Sequence, residues 1–254
     1  MIYIGIPVHN ERHTIGPLLW RVRELLSGRA RDFHVLVCDD ASDDGTSESL
    51  AAYERILPLT VTANETRVGY AASLERLVRD SIGRSDYPKR DALVTLQADF
   101  TDPPETIPEM VKRFEGGADL VSVEPSGLRP PRSLRLARLG ARVLASSLAT
   151  PDEGGDPYAS LRLYRLFTLA RALTDLDSPE APMLAHEGWA ANAELLMRVW
   201  PHVRRAESVP SDASFARRYR SSRFRTVDQV RGLMRAARDP AVRALETPRG
   251  VEAG

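Results

Sequence analysis

Hydrophobic positions along this chain alternate between two spacings. Residues 2–8 form a short apolar run with β-branched members, the pattern of a buried strand. Behind Thr14, placed as an N-cap, Ile15, Leu18, Leu19, Val22, Leu25 and Leu26 recur at intervals of three and four and predict a helix with one buried stripe. The alternation continues: strand at 33–38, helix to about residue 56, strand at 59–63, helix at 70–81, strand at 92–96, a helix opened by Pro103-Pro104 and closed near Gly116-Gly117, strand at 120–123. Further on come an Arg-rich helix at about 131–147, a loop through Gly154 to Pro157, a strand-to-helix passage at 161–173 and a helix at 189–199. Strands and helices in turn argue for an α/β fold with a mostly parallel sheet and helices on both faces, whose ligands sit beyond the carboxyl ends of the strands.

Composition narrows the class. With 254 residues, 43% of them hydrophobic and 28% charged, the chain suits one large globular domain with a short appendage, and collagen-like or wholly disordered readings are excluded. No window approaches the ~18 apolar residues of a membrane span. The opening Met-Ile-Tyr-Ile-Gly-Ile carries no basic leader, so a cytoplasmic location is expected. The one cysteine, Cys38, lies in an apolar run as a small buried thiol.

A net charge of zero hides an asymmetry. Residues 1–126 hold 14 Lys and Arg against 21 Asp and Glu; residues 127–254 reverse those counts, and every cation there is arginine. Arginines 129, 132, 135, 138 and 142 share a helical pattern with Leu134, Leu136, Leu139, Val143 and Leu144. This basic stripe suits peripheral contact with an anionic membrane, with residues 217–238 adding to it, or else a solvated face paired to the acidic half. The basic segments lack aromatic interleaving beyond Tyr219 and Phe224, so nucleic acid is not the expected partner.

Two acidic groups stand at predicted strand ends. Asp39 and Asp40 cannot both cap the helix that follows, which leaves one to accept a hydrogen bond from a nucleoside base or ribose. In Gln97-Ala98-Asp99-Phe100-Thr101-Asp102, oxygen ligands at alternate positions can converge on Mg²⁺ or Mn²⁺, while Asp102 before Pro103 reads as a helix cap.

Taken in order, these segments resemble glycosyltransferase family 2, in its branch of dolichol-phosphate mannosyltransferases and bacterial polyprenyl-phosphate glycosyltransferases. The resemblance covers residues 2–225. Ile6 to Glu11 is similar to the family's opening donor-binding strand and loop, and 37–46 to its Val-Asp-Asp-Gly-Ser-x-Asp-Gly-Thr stretch. Arg67 to Ser73 looks like Asn-x-Gly-x-Gly-x-Ala, and 97–104 like Asp-Ala-Asp-Leu-Gln-Asp-Pro-Pro in register. Asp156-Pro157 with Leu161 to Arg165 resembles the passage near the acceptor, and Ser222 to Arg225 the late Gly-x-Ser-Lys loop. The departures are Gln97 for the first metal-motif Asp, Val123-Glu124-Pro125 where a Ser-Arg pair is common, and Arg220 for a glycine.

The resemblance implies a three-layer α/β/α GT-A fold, Rossmann-like, with a mixed, mostly parallel central sheet. It implies a GT-A domain over 1–214, divided into a nucleotide-sugar half (1–126) and an acceptor half (127–214), with a basic loop, helix and tail at 215–254. Pro7, His9, Glu11, Asp39, Asp40, Gly69, Gln97, Ala98, Arg135 and Arg217 are the implied nucleotide-sugar contacts, the two arginines lying near the diphosphate. Asp99, helped by Gln97 and Thr101, would hold Mg²⁺ or Mn²⁺, and the loss of one carboxylate at Gln97 implies weaker metal binding. The implied reaction transfers a sugar, with inversion, from a nucleoside diphosphate to a polyprenyl phosphate. A hydroxyl acceptor is the alternative, and it would need a general base, for which Glu187 and Glu194 are the candidates alongside Asp99 and Arg217 in the catalytic set. A rival of another class is a non-catalytic nucleotide-sugar-binding module, motivated by Gln97.

Overall fold

The computed structural model describes residues 1–125, 156–211 and Arg235. The elements follow the order β1 (Ile2–Val8), α1 (Ile15–Leu26), β2 (Phe33–Asp39), α2 (Thr46–Tyr53), β3 (Leu59–Ala63), α3 (Tyr70–Gly83), β4 (Ala92–Thr95), α4 (Ile107–Glu115), β5 (Leu120–Pro125), β6 (Arg162–Arg165), α5 (Leu166–Thr174), α6 (Trp189–Val199) and β7 (Ala206–Ser211). Each expected strand and helix within these residues is present. Ends differ by a few residues: α2 stops at Tyr53 rather than near Ile56, and α3 continues to Gly83. The expected helix at Pro103-Pro104 begins as a 3-10 turn, Pro104–Thr106, before α4.

Seven strands make one mixed sheet in the order β3-β2-β1-β4-β6-β5-β7. All neighbouring pairs are parallel except those of β6, which runs antiparallel to both β4 and β5. Because β6 lies between β4 and β5, the two expected halves of the domain share a single sheet. The alternation of side chains along each strand feeds two cores. Ile2, Ile4, Ile6 and Val8 of β1, with Val35, Val37 and Val94, pack under α1 and α4. Tyr3, Leu36, Cys38, Leu93 and Tyr164 face α3, α5 and α6. Each fully buried aliphatic side chain contributes on the order of 1.5–3 kcal/mol. Gly5 lets α3 approach β1 closely: a Cβ there would meet Leu93 Cδ1 at 3.0 Å and Leu77 Cβ at 3.5 Å.

The strand β7 has no counterpart in the hydrophobic pattern. Its segment, Ala-Glu-Ser-Val-Pro-Ser, buries Val209 and Ser211 and leaves Pro210 exposed. An edge strand tolerates proline and needs few apolar residues, so pairing with β5 rather than local pattern makes it a strand. The strand order reverses direction on either side of β1, which places β4 beside it. In open α/β sheets such a switch point opens a crevice at the carboxyl ends of the strands.

The Arg-rich stretch at 131–147, the basic stripe, and the boundary at 214–215 lie outside the described residues. Among the described residues no helix is long and apolar enough to cross a membrane.

Candidate functional site

The carboxyl ends of β1, β2 and β4 stand side by side, and each is followed by a non-glycine residue of left-handed conformation: Asn10 (φ 55°), Ala41 (φ 53°) and Phe100 (φ 58°). Such backbone costs about 1–3 kcal/mol per residue and persists where surrounding contacts over-determine it. Here those contacts are explicit. Asn10 N–H donates to Ser42 Oγ at 2.8 Å, its Nδ2 donates to Asp43 Oδ1 at 2.7 Å, and Asp43 N–H returns to Asn10 Oδ1 at 2.8 Å. Asp40 N–H donates to Val8 O at 2.8 Å, stitching the β1 and β2 ends together.

The buried Asp39 accepts from Ser42 N–H (3.1 Å) and Ser42 Oγ (2.5 Å) on Oδ1, and from Ser47 Oγ (2.6 Å) on Oδ2. Asp40, also buried, accepts from Asn64 Nδ2 (3.1 Å) and Val68 N–H (2.7 Å) on Oδ1, and from Gly69 N–H (2.9 Å) on Oδ2. Neither carboxylate caps α2, whose N-cap is Gly45 without a side-chain bond. Both instead hold loops, so the cap that was open to one of the pair is not used. Charge-assisted bonds of this kind are worth more than neutral ones, so the two loops are firmly set.

The remaining predicted contacts of the β1 end are structural in geometry. His9 Nδ1 lies 2.7 Å from Asp40 O. Glu11 accepts Thr14 Oγ1 at 2.8 Å on its side chain, while its N–H donates to Thr46 Oγ1 at 2.8 Å. Thr14 is the N-cap residue of α1, yet its hydroxyl turns to Glu11 and makes no cap bond. Pro7 pairs with Cys38 in the parallel ladder, and burial pushes the Cys38 thiol up, keeping it protonated.

Around β4 the loop 97–102 is tied to the sheet from below. Ala98 is buried, and Asp99 Oδ1 accepts Thr101 N–H at 2.9 Å. Asp102 does not cap a helix as expected: the 3-10 turn has Pro103 as N-cap with no side-chain bond, and Asp102 Oδ2 accepts Ser160 Oγ at 2.5 Å. Thr95 Oγ1 donates to Ser160 O at 2.5 Å, so the stretch leading into β6 is fastened at two points, to the end of β4 and to the acidic loop.

Gly69 (φ 100°) precedes α3, and a Cβ on it would come within 2.5 Å of Glu187 Oε1. The exposed Glu187 accepts Tyr70 N–H at 2.9 Å and Ala71 N–H at 3.3 Å on Oε2, so its carboxylate occupies the amino end of α3. Glu194 is fully buried in α6. Its Oε2 accepts from Ala185 N–H (2.9 Å), His186 N–H (3.2 Å) and His186 Nδ1 (3.2 Å), and its Oε1 from Arg198 Nη2 (3.2 Å). Glu194 thus fixes the segment that carries Glu187. Arg135 and Arg217 lie outside the described residues.

Three residues that sequence reasoning did not single out individually, Tyr70, Asn192 and Arg162, are joined by hydrogen bonds. The Tyr70 hydroxyl donates to Asn192 Oδ1 at 2.8 Å. Burial pushes Tyr70 well up, with the negative charge of Asp102 adding to it and the hydrogen bond with Asn192 opposing it. Arg162, buried in β6, donates Nη1 to Asn192 O at 3.3 Å and Nη2 to Asp156 O, while Nε finds no partner. An arginine inside the apolar run Leu161 to Leu163 was the available signal.

The family profile described as Glycosyl transferase family 2 matches residues 3–128, the stretch that spans β1 to β5 and carries these strand-end loops. The chain carries a glycosyl transferase family 2 domain. The undecaprenyl-phosphate 4-deoxy-4-formamido-L-arabinose transferase of Aeromonas hydrophila is 31% identical over 124 residues, 48% of this chain and 36% of that protein. The dolichol-phosphate mannosyltransferase of Pyrococcus furiosus is 28% identical over 119 residues, 47% of this chain and 31% of that one. The match therefore spans about a third of the length of each of these relatives. In fold, the chain is similar to glucosyl-3-phosphoglycerate synthase from Mycobacterium tuberculosis, solved with Mn²⁺ and UDP-glucose, with a TM-score of 0.62 and 20% identity over 93% of this chain and 76% of that one. The domain thus has the GT-A architecture expected of it.

The family 2 domain's donor set fits a divalent cation in one circumstance. Among the described residues no three His, Cys, Asp or Glu side chains converge to hold a metal by themselves. Asp99 keeps Oδ2 clear of hydrogen bonds, and Gln97 and Thr101 offer only neutral oxygens beside it. Mg²⁺ commonly sits on one or two carboxylates together with substrate phosphates. Asp99 plus a diphosphate meets that requirement.

Proposed function

We propose that the protein is a glycosyltransferase that moves a sugar from a nucleoside diphosphate to an anionic acceptor, a polyprenyl phosphate in the first instance. The observation that carries this reading is the meeting of the Asp40-held amide loop at Val68-Gly69, the β1 and β2 ends and the Asp99 loop at one switch point within a family 2 domain. Rigid loops at that place suit a nucleoside diphosphate, positioned rather than chemically activated by the protein. His9, Asp39 and Asp40 border the nucleoside, and Asp99, with Gln97 and Thr101, faces the diphosphate.

When bound, Mg²⁺ or Mn²⁺ neutralises the departing diphosphate. An acceptor phosphate oxygen forms the new bond to the anomeric carbon from the face opposite the leaving group. The bond from that carbon to the β-phosphate oxygen breaks, the nucleoside diphosphate departs with the electron pair, and the configuration inverts. No proton needs removing from a phosphate nucleophile. This agrees with the engagement of both candidate bases: Glu194 is buried against His186 and Arg198, and Glu187 holds backbone amides. The acceptor preference also draws on the Aeromonas and Pyrococcus relatives, whose names specify polyprenyl-type phosphates. Arg135 and Arg217 stand near the diphosphate on the grounds of sequence resemblance. The arginine stripe at 129–142 supplies the charge for peripheral contact with the inner face of an anionic membrane.

The test is a panel of nucleotide sugars with Mn²⁺, using an undecaprenyl phosphate in detergent and, separately, soluble hydroxyl acceptors, with wild type against Asp99→Ala. Metal-dependent transfer to the lipid phosphate, reduced at least ~100-fold in the variant as expected for a lost transition-state charge contact, supports the proposal. Absence of turnover with every donor would favour a non-catalytic nucleotide-sugar-binding module. Flotation with anionic liposomes checks the membrane contact, and failure to float removes it.

A further inference from the structure

Arg162 is among the largest side chains that the fold buries completely, at 1% exposure, and nothing in the proposed reaction uses it. Other well-covered arginines of the described residues have acids: Arg165 pairs with Asp119 at 2.5 Å and Arg198 with Glu194 at 3.2 Å. Among the described residues Arg162 forms no ion pair. Its Nη1 and Nη2 donate to the backbone oxygens of Asn192 and Asp156, and its Nε donates to nothing. Two acids lie close along the chain or through it, yet neither pairs with the guanidinium. Asp156 gives its backbone oxygen and keeps Oδ1 on Tyr158 N–H at 3.0 Å, while Asp102 accepts the hydroxyl of Ser160, two positions before Arg162. A cation taken out of water without an acid is costly, and two carbonyl dipoles offset only part of that cost.

The sheet register places this charge. Because β6 runs antiparallel, its first residue, Arg162, is level with Thr95 at the end of β4 and with Ser122 of β5. One row deeper, Leu93, Tyr164 and Leu120 pair in the same way and belong to the core against α3, α5 and α6. The row of Thr95, Arg162 and Ser122 is buried and polar throughout, and it divides that core from the crevice at the carboxyl ends of β4 and β5. The nucleotide reading takes the ends of β1 and β2 and the Asp99 loop; β6 lies on the other side of β4, beneath the half of the crevice left to the acceptor.

We infer that Arg162 is a specificity-determining residue for the acceptor, its unneutralised charge beneath the crevice favouring a molecule that carries a phosphate over the same molecule without one. The inference rests on the glycosyl-transfer reading with an anionic acceptor. The guanidinium is covered, so it acts through space rather than by contact, and a buried charge is screened little by salt. Opposite charges about 10 Å apart at an effective dielectric of about 20 attract enough to change affinity roughly tenfold.

The experiment is calorimetry on the full chain with UDP or GDP and Mn²⁺ present. It compares a short-chain prenyl phosphate with the corresponding prenol at about 0.05 M and about 0.5 M salt, in wild type, Arg162→Lys and Arg162→Gln. Lysine keeps the charge; glutamine keeps two amide hydrogens for the two carbonyl oxygens and loses it. Wild type is expected to bind the phosphate at least about tenfold more tightly than the prenol, a ratio that falls less than about threefold between the two salts. In Arg162→Gln the ratio drops to within about threefold of unity, in Arg162→Lys it stays within about threefold of wild type, and affinity for the nucleotide alone moves less than about threefold in both. Unchanged far-UV circular dichroism shows that the variants fold. A phosphate preference that Arg162→Gln retains overturns the inference and leaves the anionic-acceptor reading standing. A preference that vanishes at about 0.5 M salt belongs to exposed charge and overturns the inference on wild type alone. Equal losses of nucleotide and prenyl phosphate overturn the role in acceptor choice. Prenol bound by wild type as tightly as its phosphate removes the inference and the anionic-acceptor reading together.

Discussion

Replacing Glu187 separates two parts that this carboxylate can play. Gly69 is the N-cap residue of α3 and has no side chain to satisfy the first amides of the helix; Glu187, distant in sequence, supplies the acceptor, with Oε2 at 2.9 Å from Tyr70 N and 3.3 Å from Ala71 N. Losing a capping acceptor costs about 1 kcal/mol, within a range of about 0.5–2. The interaction of its charge with the helix dipole contributes about 0.3–1 kcal/mol of the total and is screened at an exposed position. Glu187→Ala should therefore cost about 1–2 kcal/mol. Glu187→Gln keeps a carbonyl oxygen for the two amides and should cost less than about 1 kcal/mol. In a chain of this size 1 kcal/mol moves the melting temperature by roughly 2–4 °C, so the alanine variant should melt about 2–8 °C lower and the glutamine variant at most about 4 °C lower.

The rates separate the alternatives further. Glutamine cannot take a proton, and removing a general base lowers kcat by about 10²–10⁴. If Glu187 positions the α3 end, Glu187→Gln keeps kcat within about tenfold of wild type, and the alanine variant shows faster amide exchange at Tyr70 and Ala71. Thermal unfolding, hydrogen exchange and transfer kinetics on the same preparations decide it. A glutamine variant with unchanged melting and exchange but kcat down ~100-fold or more would refute the capping argument and restore Glu187 as a base, with a hydroxyl rather than a phosphate as the nucleophile.

Gly69→Ala should cost at least ~2 kcal/mol, because a positive φ of 100° strains any side chain and the added Cβ displaces the Glu187 carboxylate; the melting temperature and Tyr70 amide exchange report it. Asp40→Asn replaces a charged acceptor of three hydrogen bonds with an amide whose NH₂ faces a backbone donor, so a loss of about 2 kcal/mol is expected together with weaker nucleotide binding in calorimetry. Burial pushes Asp44 up, but hydrogen bonds from the Thr46 hydroxyl and from the amides of Arg12 and Thr46 outweigh it and hold the carboxyl below its usual range. Its contribution to stability is then fully present above the unfolded value of about 3.9 and is lost as pH falls through the folded value. Urea unfolding should accordingly show Asp44→Asn less stable than wild type at pH 7, with the gap closing towards pH 3; a gap independent of pH would contradict the assignment.

What the sequence discloses depends on how far apart the partners lie. The strands β1, β2 and β4 are legible because burial on both faces makes them nearly continuous apolar runs. The antiparallel direction of β6 and the existence of β7 are not, since a four-residue strand and a polar edge strand owe their identity to the neighbours they pair with. The same holds in the site. Tyr70 and Asn192 are 122 positions apart, and Glu187 reaches Tyr70 across 117, so no local spacing reports either contact.

The legible carboxylates carry the more instructive lesson. Aspartates at strand ends mark ligand chemistry, but an acceptor with two oxygens is also what a strained turn most requires, and the turns after β1, β2 and β4 each contain a left-handed non-glycine residue. A motif cannot separate the two uses; the donors on each oxygen can. Both oxygens of Asp39 are engaged by Ser42 and Ser47 just after it and both of Asp40 by the loop after β3, whereas Asp99 has one engaged and one open. On that basis we propose that the Asp39-Asp40 pair would act on a ligand chiefly through the backbone it holds in place, including the amides of Val68 and Gly69. In the proposed reading direct coordination would fall to Asp99, so substituting Asp40 should lower stability and affinity together, while substituting Asp99 should leave stability nearly untouched.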